Sequence, residues 1–477
     1  MRGYKEGQDR QQRMMMPECL DDYVGEDNIC RVIDLFVEKA DLKAMGFKYT
    51  QIKETGCRPY SPWAMSKLYL YGYQNRVRSS RRLERETQRN VEVMWLMQRL
   101  TPDDKTISNF RKDNAGALKK LYREFVRLCD KMELTGKQTE AFDGTKVKAN
   151  NSRKNHYTRK TASEAMERID KKIDEYLAML DENDRAELAE GKPDAEKIKE
   201  AIEKLNDKKA TLPEVLRKLE ETGEESICTT DEDERLMKQS GGKGFDVCYN
   251  VQTVTDEKFG LVVDYEVTDH CNDQNELPGM CEKAADVLEI EEFTALADKG
   301  FCNGAELKKC EDMHVSCLAP KPKPGHQPEN PAFHRDRFIF DQERDCYLCP
   351  GGYELSYVRT RKRGGYAVYA GRTACRNCEK KKECTKSKTL REIERAPYQE
   401  YIDAADARVK NNKKLYSRRQ ELSGPPFGVF KRVWGFDQYL CQGKEKVPGE
   451  TALTFLAFNL RRAINILGVN AVLQALA

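Results

Sequence analysis

The chain has 477 residues, a formal charge of +3 and 34% charged side chains, which is long enough for two or three domains with a sizeable core. It has no apolar run of about 18 residues, and its first residues lack a signal peptide's apolar centre, so a membrane span is not expected and the cytoplasm is. Its 17 Cys, scattered along the chain, indicate reduced thiols or a metal rather than a disulfide framework, and with so small a net charge an anionic partner must be met by local basic patches.

After a weakly patterned start, a helical stretch runs from about Ile33 to Ala44. Ser61 followed by Pro62 is a helix start, the hydroxyl as N-cap and the proline at the first helical position. From Arg76 to Arg89 there are six Arg and two Glu, with Ser79-Ser80 as a break and a new cap. Thr101-Pro102-Asp103-Asp104 repeats the cap, with acids placed where the helix dipole favours them. The spacing predicts a bundle of short helices over 60–130, inside an N-terminal helical domain of residues 1–135. Its Arg cluster is either a solvated helix face or a phosphate-docking turn; Arg76, Arg78, Arg81 and Arg82 are the candidates for the second role.

Thr139 to Ala149 then reads as a buried strand carrying Asp143 near its middle. A charged segment, 154–230, follows. In it Met166, Ile169, Ile173, Tyr176, Leu177 and Leu180, and after Gly191-Lys192-Pro193-Asp194 also Ile198, Ile202, Leu205, Leu212, Val215 and Leu219, recur at helical spacing. This predicts a helical hairpin inserted into a larger domain. Strand patterns resume at 246–254 and 261–268 as an antiparallel hairpin, followed by a helix over 273–285, a strand 293–297 delivering Asp298, a helix from about 303 to 310 and a strand 315–319. Apart from the insertion, the order is β, β, β, α, β, α, β, that of an α/β, RNase H-like core with a mixed sheet, here assigned to residues 136–470. In that order the first and fourth strands are neighbours, which sets Asp143 beside Asp298. Paired carboxylates repel, and a divalent cation relieves the repulsion; Mg²⁺ (or Mn²⁺) fits an oxygen donor set. Two such ions about 4 Å apart can activate a water or a 3′-hydroxyl and stabilise the leaving oxygen of a phosphodiester. Metal-dependent phosphoryl transfer needs no imidazole, so His270 reads as a loop residue and Asp269 and Asp273 as helix caps.

A basic, Pro- and Gly-rich insertion, 320–400, carries Cys346-x-x-Cys349 and Cys375-x-x-Cys378, with 25 residues between the pairs, and a further Cys384. That spacing suits a structural Zn²⁺ ribbon, with reduced cysteines in a basic hairpin as the alternative and Cys384 as either a spare or a replacement ligand. The chain closes with a segment from Tyr416 to Phe436 and an amphipathic helix, about 450–467, expected to pack back on the sheet.

Several motifs together resemble those of IS5/IS1182-like bacterial insertion-sequence transposases of the DDE type. They are Tyr71-Gly-Tyr-Gln-Asn-Arg-Val-Arg-Ser-Ser-Arg-Arg-Leu-Glu84, Lys105-Thr-Ile-Ser-Asn-Phe-Arg111, Asp143-Gly-Thr-Lys-Val-Lys-Ala-Asn150, Tyr249-Asn-Val-Gln-Thr253, Ala297-Asp-Lys-Gly-Phe301 and Pro426-Phe-Gly-Val-Phe-Lys431. The resemblance spans roughly residues 15 to 470. It implies that Asp143 and Asp298 bind the catalytic metal and that the N-terminal helices bind the element's ends. It also implies that Tyr416, Arg419 and Lys431 hold phosphate near the cut. The expected partners are double-stranded DNA, as terminal inverted repeats and target, and a second copy of the chain in a homodimer in the bacterial cytoplasm, at the nucleoid. A third carboxylate, Glu, is implied seven residues before Lys431; that position is Gly424. Glu421, one helical turn earlier, is the substitute, but Gly424-Pro425-Pro426 should interrupt the helix that would present it. Two functions follow as expectations: a transposase that cuts and joins DNA, or an inactive, transposase-derived DNA-binding protein.

Overall fold

The computed structural model describes residues 19–51, 58–151, 155–185, 195–223, 226–229, 233–239, 244–322, 328–387 and 389–477. The chain forms two compact units, one of Met1–Leu134 with Glu445–Ala477 and one of Thr135–Lys444.

The first unit is helical, as the cap signals predict. Ser61 precedes the helix Pro62–Gln74, and the Asp103 side chain accepts from the Thr106 N–H at the start of Asp104–Asp113. The helices bury aromatic side chains against one another: Phe36 meets Phe125 edge-on with ring centroids 5.1 Å apart, and the Tyr69 hydroxyl donates to the Ile107 carbonyl. One expectation fails. The helix Val447–Leu467, expected to pack on the sheet, packs instead on Ala115–Lys131 and Pro62–Gln74 of this unit. The cause lies in its sequence: from Val447 to Leu460 nearly every residue is buried, so the helix is enclosed all round rather than half-solvated. Gly449 permits this, since a methyl group at its α-carbon would sit 2.6 Å from the Ala115 α-carbon. No single helix among the described residues is long and apolar enough to cross a membrane; the bent pair Val447–Leu467 and Val469–Leu476 has the composition, broken by 109°.

The second unit is built on a mixed sheet of β1 (Thr139–Lys148), β2 (Phe245–Asp256), β3 (Val262–Thr268), β4 (Phe293–Leu296) and β5 (Val315–Leu318). Its order is β3-β2-β1-β4-β5, with β2 antiparallel to β1 and β3, and β1, β4 and β5 parallel. Arg235–Lys238, which the sequence did not suggest, extends the outer edge of β2 beside β3. Parallel strands need crossovers, supplied by the helices Leu277–Leu288 and Gly304–Asp312. On one face Ala141, Leu296 and Leu318 form an in-register apolar stripe across β1, β4 and β5. Leu422, Leu415 and Tyr416 of the helix Lys413–Gly428, with Val409 of the helix Gln399–Asn411, cover it.

The predicted hairpin is present as the helices Arg159–Arg185 and Ala195–Thr222, with its own core of Ala162, Ile169, Leu212, Val215 and Leu219. The turn at 191–194 lies outside the described residues. A two-residue ladder, His156–Tyr157 against Ile227–Cys228, clasps the two ends together. The Cys-rich insertion is a five-stranded antiparallel meander (Ile339–Asp341, Cys346–Leu348, Glu354–Thr360, Ala367–Ala370, Glu392–Arg395) around Phe338, Tyr347, Leu355, Tyr369 and Ile393.

Candidate active site

Ala141 pairs with Leu296 across β1 and β4. Counting two residues on along each parallel strand brings Asp143 level with Asp298, and the period of two keeps both on the face covered by the helix Lys413–Gly428. Asp298 lies just past the end of β4, where its Oδ1 accepts from the Gly300 N–H at 2.6 Å. Asp143 accepts at Oδ1 from the Gly144 N–H at 3.0 Å. Burial pushes the Asp143 carboxyl above its ordinary range; Arg419 pulls it down and the charge of Asp298 pushes it up again.

The helix facing these acids differs from expectation. It runs unbroken from Lys413 to Gly428 through both prolines and continues as a π-helical turn, Val429–Val433. Pro425 is on the exposed side, where water can serve the carbonyl left without a donor. Tyr416, Arg419 and Ser423, spaced three and four apart, share one face. The Tyr416 hydroxyl donates to the Ala297 carbonyl at 3.2 Å, and Arg419 Nη1 lies 3.6 Å from Asp143 Oδ2. Ser423 Oγ, fully buried, is 3.0 Å from Asp143 Oδ2 and 2.9 Å from the Arg419 carbonyl, and its single proton serves one or the other. Ser423, not Gly424, faces the aspartate. Gly424 is exposed, with nothing within 4 Å of where its Cβ would be, and Glu421 is exposed too. Continued helical spacing from Tyr416 and Arg419 would single out Ser423, but the break expected at the prolines hides it.

Lys431, on the π-helical turn, donates to Thr145 Oγ1 at 2.6 Å and to the Lys146 carbonyl at 2.5 Å, and burial lowers its ammonium to about 8. Of the N-terminal arginines, Arg76, Arg81 and Arg82 are exposed, Arg81 with Asp104 at 3.3 Å. Arg78 is turned inward, 3.2 Å from the buried Glu450. Asp273 does not cap a helix: the next helix begins at Leu277 with Glu276 as N-cap, and Asp273 accepts from the side chains of Asn250 and Gln252. His270 is exposed in the loop, against Glu276.

In the Cys-rich meander, Cys349, Cys375, Cys378 and Cys384 line one pocket of about 310 Å³. Cys346 does not line it; it is fully buried within its strand. The Tyr353 N–H donates to Cys349 Sγ at 3.3 Å. Among the described residues, no three His, Cys, Asp or Glu groups are gathered closely enough to coordinate a metal ion as they stand.

Two family models match the chain: a transposase domain over residues 18–113 and a transposase DDE domain over residues 348–464. It carries the domains of a DDE transposase. No curated protein and no solved structure matches it. The DDE domain match includes Tyr416, Arg419, Ser423, Gly424 and Lys431, whereas Asp143 and Asp298 lie outside both matched spans. A DDE transposase acts on DNA and uses a divalent metal, typically Mg²⁺ or Mn²⁺. The donors fit such an ion: two adjacent carboxylates, one held buried beside the other's charge, gain from a cation between them.

Proposed function

We propose that this transposase cuts and joins DNA at insertion-sequence ends through an RNase H-like core of the IS5/IS1182-like kind, with Asp143 and Asp298 holding Mg²⁺ or Mn²⁺. The observation that carries the reading is the level placement of those two acids on neighbouring parallel strands, in a sheet ordered β3-β2-β1-β4-β5. The bound ion supplies Lewis-acid activation of the nucleophile and the leaving oxygen. Arg419 and Ser423 orient the Asp143 carboxylate, and Lys431 offers a cation for backbone phosphate beside β1. The test is cleavage of a labelled terminal-inverted-repeat duplex by the full chain with Mg²⁺ or Mn²⁺, measured together with duplex binding. Cleavage supports the reading. Tight, salt-dependent binding without cleavage supports the second one, an inactive end-binding protein; what favours that one is Gly424, exposed and without a side chain at the position where the resemblance implies a carboxylate.

Because Lys431 titrates near 8, duplex affinity should fall as pH rises from 7 to 9, by up to about tenfold for one phosphate contact. Lys431→Arg, charged throughout, should abolish that pH dependence in a fluorescence-anisotropy titration; an unchanged profile would remove Lys431 from the phosphate-binding role.

We further propose that Cys349, Cys375, Cys378 and Cys384, which line one pocket, close on a structural Zn²⁺. Elemental analysis of the purified chain should then find one zinc, lost in Cys384→Ser and kept in Cys346→Ser; the opposite pattern would restore the CxxC pairing.

A further inference from the structure

We propose that the β-hairpin of Glu354–Thr360 and Ala367–Ala370, in the Cys-rich insertion, is a DNA-contacting element whose tip grips the phosphate backbone of duplex DNA without reading its sequence. The inference rests on the DNA-directed reading above. The chain as a whole is nearly neutral, with a formal charge of +3, yet from Leu355 to Cys378 it carries Arg359, Arg361, Lys362, Arg363, Arg372 and Arg376 and no Asp or Glu. The fold gathers part of this charge at the end of the hairpin. The Arg361 N–H donates to the Tyr366 carbonyl at 2.8 Å and closes a loop of Lys362, Arg363, Gly364 and Gly365. Both glycines sit in the left-handed region, at φ of 81° and 65°, which larger side chains rarely adopt. Lys362 and Arg363 are therefore the side chains of the tip, and both are exposed. The Tyr366 ring braces the turn: a methyl group on Gly364 would lie 2.6 Å from its Cε2.

The cations divide into two kinds along the hairpin. On the stem, Arg359 is 3.0 Å from Glu392 and Arg361 pairs with Glu394, both acids of the strand Glu392–Arg395, so these ion pairs span the intervening strand Ala367–Ala370. They tie three strands together and neutralise the stem. At the tip, among the described residues, Lys362 and Arg363 form no ion pair, and neither do Arg372 and Arg376. Adjacent like charges without a counterion repel, and a polyanion relieves the repulsion. Duplex DNA is the polyanion that the transposase domains bring to this chain. Residues 355–376 also hold no Asn, Gln, Asp or Glu, the side chains that read adenine and cytosine edges, so the contact follows the backbone rather than the bases.

The test is fluorescence anisotropy of the full chain with two labelled duplexes, a terminal inverted repeat and an unrelated sequence, with thermal unfolding as a check on folding. Lys362→Ser combined with Arg363→Ser should weaken both duplexes alike. With about two phosphate contacts gone, the wild type should lose about tenfold more affinity than this variant between about 50 and about 200 mM salt. Lys362→Arg with Arg363→Lys should keep the wild-type salt dependence. Lys171→Ser with Lys172→Ser, which removes the same charge from exposed positions of the helix Arg159–Arg185, should leave binding unchanged. Should the serine variant of the tip fail to fold, Lys362→Gln with Arg363→Gln is measured in its place. Wild-type affinity and salt dependence in a folded tip variant, or equal weakening by the Lys171 and Lys172 variant, overturns the role of the tip and leaves the proposed function standing. Weakening confined to the terminal repeat overturns the sequence-independent grip. A wild-type chain that binds neither duplex overturns the proposed function and this inference together.

Discussion

Asp143→Asn is expected to reduce strand cleavage about 1,000-fold while leaving the fold intact. The ion provides several kcal/mol of transition-state charge stabilisation, and each 1.4 kcal/mol lost is about a factor of ten in rate. The same substitution should not destabilise the unit. Burial raises this carboxyl above its ordinary 3.8, so the folded state binds the proton more tightly than the unfolded state does. Stability therefore falls as pH rises from 3.8 through the folded pKa, and at neutral pH the ionised group opposes folding. Asn carries no such charge. The check is a single-turnover cleavage assay beside a urea titration at pH 7: lost cleavage with unchanged or greater stability is the expected pair. Retained cleavage would exclude Asp143 from the chemistry.

Arg78→Met should lower the stability of the helical unit by about 3 kcal/mol. Its guanidinium is 3.2 Å from Glu450, whose side chain is 1% exposed, and removing one partner of a buried ion pair costs far more than removing a surface pair. Arg81→Ala and Arg82→Ala, at exposed positions, should leave stability within about 0.5 kcal/mol. They should instead lower duplex affinity and reduce the salt dependence of binding by about one unit of slope for each phosphate no longer neutralised. Denaturant midpoints and salt-dependent binding curves on the same variants separate the two roles. A stable Arg78→Met with weakened DNA binding would return Arg78 to the DNA-facing group.

The contrast between these arginines marks where sequence reasoning ran out. The run Arg76 to Arg89 shows its charge openly, but the partner of Arg78 is Glu450, far along the chain, and no local pattern announces it. The strands were legible because their apolar runs and turns are local signals. Asp143 and Asp298 became a pair once the element order was read, since that order fixes which strands adjoin. The final long helix was misplaced because apolar spacing says that a helix is buried, not against what. The same holds for Asp273, read as a helix cap but held by amides on a strand paired with β1. Ser423 was concealed by a local rule, that consecutive prolines end a helix, which a solvent-facing Pro425 sidesteps.

The clasp at the base of the helical hairpin gives that arm unusual independence. Its two ends lie side by side, with the Thr229 N–H donating to the Asn155 carbonyl at 2.9 Å, and its apolar side chains close upon themselves. An arm anchored in this way is a tether of adjustable reach: whole helical turns can be added or trimmed at its far end without re-registering β1 or β2. Relatives with longer, shorter or vanished arms would keep the same sheet, and a reporter domain grafted at that distal tip should ride on the protein without disturbing the acids.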